Sequence, residues 1–102
     1  MKEYDFYIPL FANDGTRVSL RKLTRLKSQL TNEFGGLTYF PQQNEGVWKL
    51  GHVTFRDEVV ILRVIANDSK RTKSVIQQLK SMIRKDWEQD DVLIVERSVR
   101  AV

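Results

Sequence analysis

The residues best suited to acid or base chemistry gather in one stretch: Tyr39, His52, Asp57 and Glu58. His52 is the single histidine, and its imidazole is the side chain whose charge changes near neutral pH. The two carboxylates add general acid or base groups. On an extended strand His52 and Glu58 share a face but stand six residues apart, roughly 20 Å along the chain, unless the chain turns at Gly51. Direct cooperation is poor at that spacing. A small molecule would instead lie in a cleft lined by Tyr39, Trp48 and His52, although Trp48 also suits the plainer role of anchoring a hairpin over 41–51. A third arrangement is that of a small endoribonuclease, which needs acids grouped at one strand end. Asp5, Asp57 and Glu58 are the set available for it.

Composition removes other chemistries. With no cysteine there is no disulfide, thiolate zinc site or cysteine nucleophile, and one histidine cannot supply a two-histidine metal motif. No metal and no cofactor is expected. The run NEFGGLTYFP, residues 32–41, carries a glycine pair that invites a phosphate-cradle reading. Cradles use backbone N–H groups at the start of a helix, and here the glycines follow a helical run. The third glycine of a dinucleotide fingerprint is missing. Gly35 therefore reads as a left-handed helix stop, and Gly36 as the turn into a strand.

The elements that must position these groups follow from periodicity. Residues 4–11 alternate as a strand, and Asn13, Asp14 and Gly15 break it. Ser19 is a plausible N-cap for a helix whose stripe is Leu20, Leu23, Leu26, Leu30 and Phe34. Residues 37–40 read as a strand, 41–46 as a loop, and 47–50 as a further strand turning at Gly51. Residues 53–66, VTFRDEVVILRVIA, give the strongest strand signal. Asn67, Asp68 and Ser69 cap a second helix with the stripe Val75, Ile76, Leu79, Met82, Ile83 and Trp87. Residues 92–95 make the last strand, and 97–102 a tail. The order predicts one α+β domain over 1–102, a ferredoxin-like split βαβ (β-α-β-β-α-β) with an antiparallel sheet covered on one face by two helices.

Two features stand above that background. On the strand over 53–66, Val60, Leu62, Val64 and Ala66 occupy one face and Val59, Ile61, Arg63 and Ile65 the other, so both faces look apolar. A sheet with one wet face alternates more cleanly. A homodimer joined through the sheets, as in dimeric α+β barrels, is therefore expected on the face of Val59, Ile61, Arg63 and Ile65, unless the 41–57 loop and the tail shield it. The second feature is charge: the two helical segments, 18–34 and 69–88, carry +7 in a chain of net +4. Arg21, Lys22, Lys70, Arg71 and Lys73 crowd their opening turns, where the helix dipole disfavours cations, and Arg25 joins them as a candidate partner contact on the first helix. That placement suggests contact with nucleic acid or an acidic protein.

FGGLT at 34–38, GVW at 46–48, Glu58 and Gln89 together resemble small uncharacterised bacterial proteins of domain-of-unknown-function families with an F-G-G-x-T then G-x-W pattern. The resemblance spans about 60 residues and implies a compact α+β domain with no assigned activity or catalytic residue. RNA-recognition aromatics are missing from the strongest strand, and the helices lie too far apart for a helix-turn-helix. The N-terminus MKEYDFYIPL lacks a signal-peptide pattern, and no apolar run approaches the roughly 18 residues of a membrane span. The sequence thus leads to a cytoplasmic, non-enzymatic dimeric binding module that meets an acidic partner or nucleic acid through basic helices. The alternative is a small-molecule binder or enzyme of the dimeric α+β barrel kind, with its cleft near Trp48 and His52.

Overall fold

The computed structural model describes residues 1–50 and 53–102, and the side chains of these apart from 42–46, 48–50 and 53–57. The order is β1 (Lys2–Pro9), α1 (Leu20–Phe34), β2 (Thr38–Leu50), β3 (Val53–Ala66), α2 (Lys70–Asp86) and β4 (Ile94–Ser98). The four strands form one sheet in the order β2-β3-β1-β4, antiparallel at every pairing. This is the expected split βαβ fold. Even-numbered residues of β1 and β3 (Tyr4, Phe6, Ile8, Val60, Leu62, Val64) meet Leu23, Leu26 and Leu30 of α1 and Ile76 and Ile83 of α2 in a single core.

Local chemistry sets the helix limits. Ser19 Oγ accepts from Lys22 N at 3.3 Å, and Ser69 Oγ from Thr72 N at 3.1 Å, each satisfying a donor left open in the first turn. At the far end of α1, Gly35 adopts φ 79° and its N–H reaches Thr31 O at 2.8 Å, the left-handed stop that the glycine pair predicted. α2 ends without glycine: Glu88 takes φ 50°, and Gln89 N returns to Arg84 O at 2.9 Å. The Gln89 side chain then donates to Phe11 O at 2.9 Å, tying this end of α2 to the loop after β1.

Two expectations are corrected. Residues 41–46 are part of β2 and not a loop; the strand passes through a register slip between Phe40 and Asn44. Pro41 fits because β2 is an edge strand, where a missing N–H breaks no ladder on the solvent side. The last strand also lies further on than 92–95, because Arg97 and Ser98 pair with Glu3 and Lys2 on β1, so the supposed tail begins inside the sheet. Val92 is buried before that ladder starts. Among the described residues no helix is long and apolar enough to cross a membrane.

Among the described residues Tyr4 is the one polar misfit in the core. Its ring is buried among the helix-facing residues, and its hydroxyl lacks a hydrogen-bond partner among the described residues. Burial raises its pKa, with the Glu96 and Asp68 carboxylates adding to the effect. A phenol with a raised folded pKa leaves stability intact below the ordinary value of about 10 and erodes it above, where the unfolded chain ionises first. Tyr4→Phe is therefore expected to stabilise the fold by about 1 kcal/mol at neutral pH. Urea unfolding at neutral and alkaline pH should show that advantage widening above pH of about 10. A destabilised variant would show that the hydroxyl has a partner.

Candidate functional site

Odd-numbered residues of β1 point away from the helices, and the ladder sets them beside the odd-numbered residues of β3 and β4. Asp5 stands opposite Arg63 on β3 and Val95 on β4, and Glu3 stands opposite Ile65 and Arg97. The open face of the sheet thus holds a charged cluster at its centre. Arg63 Nε donates to Asp5 Oδ1 at 2.7 Å and Arg63 Nη2 to Asp5 Oδ2 at 3.0 Å, a bidentate pair. Arg97 Nη1 and Nη2 add donations to Oδ2 at 3.2 and 3.0 Å. Glu3 lies 3.1 Å from Arg63 Nε and 3.6 Å from Arg97 Nη1, completing a cluster of two acids and two guanidiniums.

Asp5 is only 1% exposed, although it lies on the uncovered face, because the two arginines roof it. A lone carboxylate so buried would be held at a cost of several kcal/mol, and the four donated bonds are what make it tolerable. The Asp5 carboxylate raises the pKa of Arg63, so that guanidinium stays charged. Arg63 also lies over the Phe40 ring, 4.8 Å from its centroid. Around this centre stand Ile61, Ile65, Val95 and Leu93, with Tyr7 at the next rung of β1. With both Asp5 oxygens occupied by cations, the carboxylate is a poor base or nucleophile. Its chemical role is to fix two guanidinium planes whose remaining donors suit a carboxylate or phosphate.

The residues singled out in the sequence are dispersed by the fold. Val59, Ile61, Arg63 and Ile65 do share the face opposite the helices, but with Glu3, Asp5 and Arg97 beside them that face is a charged centre with an apolar surround and not a uniformly apolar surface. Tyr39 pairs with Leu62 and lies on the helix side, with Lys27 Nζ 3.6 Å from its ring centroid. Its neighbour Phe40 takes the open face. The Trp48 side chain and His52 lie outside the described residues. Asp5 is separated along the ladder from Val59, which is paired with Pro9, and Glu58 lies beyond that, so Asp5 and Glu58 do not meet at one strand end. Among the described residues no three of His, Asp and Glu gather as metal ligands.

The cations of the helices form two groups. Lys22 Nζ donates to Asp86 O at 2.6 Å, capping the end of α2, so α1 opens where α2 closes. Arg21 and Arg25 are exposed at that end, and Lys70, Arg71 and Lys73 at the other, Lys73 lying 4.0 Å from Asp68. The site that sequence reasoning missed is the Asp5 cluster. Its signal was present as outward acids on β1 and one arginine among the outward aliphatics of β3, but joining them required the register.

No protein-family model matches the sequence, and no curated protein matches it. Two solved structures share the fold. One is a phage SAM lyase in complex with S-methyl-5'-thioadenosine, with TM-score 0.68 and 14% identity over 95% of this chain and 80% of that one. The other is a phage SAM lyase in the apo state, with TM-score 0.66 and 16% identity over 94% of this chain and 78% of that one. At these identities the likeness is one of architecture.

Because the cluster is interlocked, removing its buried member leaves donors without an acceptor. Asp5→Ala is expected to cost about 1–3 kcal/mol in chemical unfolding, since the guanidinium donors aimed at Asp5 lose their acceptor while Glu3 still faces both arginines. Arg97→Ala should cost less, because Arg63 keeps both Asp5 oxygens engaged. Equal and small effects from both substitutions would show that the cluster adds nothing to the fold.

Proposed function

We propose that this protein binds a small molecule on the open face of its sheet, and that the ligand class is an adenosyl sulfonium or thioether. The observation that carries the reading is the set of side chains there: an aromatic ring and two fixed guanidiniums on a face with an aliphatic surround, in a chain whose fold is shared with SAM lyases. The chemistry of such a ligand fits the layout. An adenine ring suits stacking on Phe40 or Tyr7, while the amino-acid carboxylate of S-adenosylmethionine suits the outer donors of Arg63 and Arg97. Glu3, held between the guanidiniums, is the acid on this face that would meet a sulfonium or an ammonium group. Asp5 serves as the positioning anion beneath them.

Calorimetric titration with S-methyl-5'-thioadenosine and with S-adenosylmethionine tests the assignment. Binding of at least one is expected, with Phe40→Ala and Arg97→Ala each weakening it about tenfold, a loss of roughly 1.4 kcal/mol. The fold of each variant is checked by circular dichroism. Chromatography of the S-adenosylmethionine sample shows in addition whether S-methyl-5'-thioadenosine is released. If neither compound binds, or if both variants bind as the parent does, the assignment fails.

A second reading rests on the helices. Neither has an acidic residue in its first turn, Arg21, Lys70, Arg71 and Lys73 remain exposed there, and Arg25 is exposed in the second turn of α1. Such cations oppose the helix dipole by a few tenths of a kcal/mol each, a cost that a bound polyanion would offset. With the two groups at opposite ends, the contact would be flat and salt-sensitive. On this reading, joint replacement of Lys70, Arg71 and Lys73 by alanine lowers the salt needed to elute the protein from heparin. Unchanged elution argues for plain solvation of these side chains.

A further inference from the structure

We propose that two copies of this chain pair through their open sheet faces about a two-fold axis that runs along the diagonal from Leu93 through Asp5 to Ile65, and that the second copy and an adenosyl ligand exclude each other from that face. The ladders fix the layout. Leu93 stands beside Tyr7, Arg63 and Val95 flank Asp5, and Ile65 stands beside Glu3. Leu93 and Ile65 therefore hold opposite corners with Asp5 midway between them. Both corners face solvent, at 43% and 48% exposure. The charges lie off that diagonal or under cover: Arg63 and Arg97 roof Asp5, Glu3 sits beside both, and two acids against two guanidiniums leave the centre neutral.

Such a face complements a copy of itself. A two-fold axis lying in the face along that diagonal exchanges position along a strand for position across the sheet, as an isologous contact requires. It sets Leu93 on Leu93 and Ile65 on Ile65 of the second copy. Glu3 then meets the second copy's Arg63, Tyr7 its Val95, and Phe40, which is level with Ile61, its Val99. Apolar groups meet apolar groups and an acid meets a base. The two Asp5 carboxylates face each other only through their guanidinium roofs, so no unpaired charge is buried. The diagonal runs roughly 14 Å along the strands and 10 Å across them, so the strands of the two sheets cross at roughly 70°, near the orthogonal class of sheet packing. Four strands and about six residues of length give a face of roughly 19 Å by 20 Å. Two such faces bury on the order of 1,000 Å² in total, the low end for a specific interface. Packed sheets stand about 10 Å apart, and their own side chains fill that gap. The ligand assignment uses Phe40, Arg63 and Arg97 of this same face, and the mutual exclusion rests on that reading.

Association is measured first without ligand, so the interface and the ligand assignment stand or fall separately. Light scattering at about 100 μM should give twice the chain mass, and Ile65→Asp should give a monomer with an unchanged circular dichroism spectrum. Since the chain has no cysteine, Ile65→Cys and Leu93→Cys each create a single thiol. Both positions lie on the axis, so each variant should link to itself when treated with a short bis-maleimide. Gln77→Cys, exposed on α2, should not. A monomeric parent at that concentration overturns the proposal, as does a dimer whose Ile65 and Leu93 thiols link no better than the one at Gln77. Addition of S-methyl-5'-thioadenosine to the dimer should lower its mass toward that of one chain. A dimer that binds the compound and keeps its mass overturns the exclusion. A dimer that binds no adenosyl compound removes only the ligand assignment; a monomer that binds one removes only the interface.

Discussion

A carboxylate that water cannot reach must be neutralised by its neighbours, and in this fold that requirement falls on Asp5. Three strands contribute to meeting it, with the acid on β1, Arg63 on β3 and Arg97 on β4. The cluster therefore does for the open face what the apolar core does for the helix face. It defines which rungs of β1, β3 and β4 can stand level, since a slip of one residue would carry the charges into the core and leave the aliphatics outside. The same electrostatics restrict its chemistry, because an anion holding four donors supports other groups and does not act itself.

The two faces of the sheet have complementary jobs. On the helix side, leucines and isoleucines of α1 and α2 close over Phe6, Ile8 and Leu62, and Trp87 finishes the seal where α2 ends. That side is complete within one chain. The other side is an unfinished surface in which polar groups are satisfied but aliphatic ones are half exposed. Surfaces of that kind favour a further layer, and the layer need not be strongly attractive, because the costly step of burying the charge has already been met inside the monomer.

Much of the fold was legible in residue order. The leucine stripe from Leu20 to Phe34, the serine at each helix start and the left-handed stop at Gly35 are local devices, and local devices can be read without knowing the partners. The β3 run was equally clear, since branched residues dominate it. Residues 41–46 were misjudged because proline, glutamines, asparagine and glycine carry the composition of a turn, whereas β2 runs on through the slip and 44–46 pair with β3. The site was less legible for a related reason. Asp5 and Arg63 are 58 positions apart and Asp5 and Arg97 are 92 apart, so no spacing rule links them. Only the register brings them together. The acids at Glu3 and Asp5 and the lone Arg63 among aliphatics were the available cue, and reading β3 without β1 made that face look wholly apolar.

The slip between Phe40 and Asn44 has a further meaning for how this chain can vary. Three residues of β2 lie between pairs that enclose a single residue, Val60, on β3. The surplus is two, an even number, so the alternation of sides resumes in phase beyond it. A sequence that gained or lost residues there in pairs would keep every outer position on its own side, while a single insertion would exchange the two sides of the whole outer hairpin strand. Parity, and not length, is the quantity that divergence at this point has to conserve.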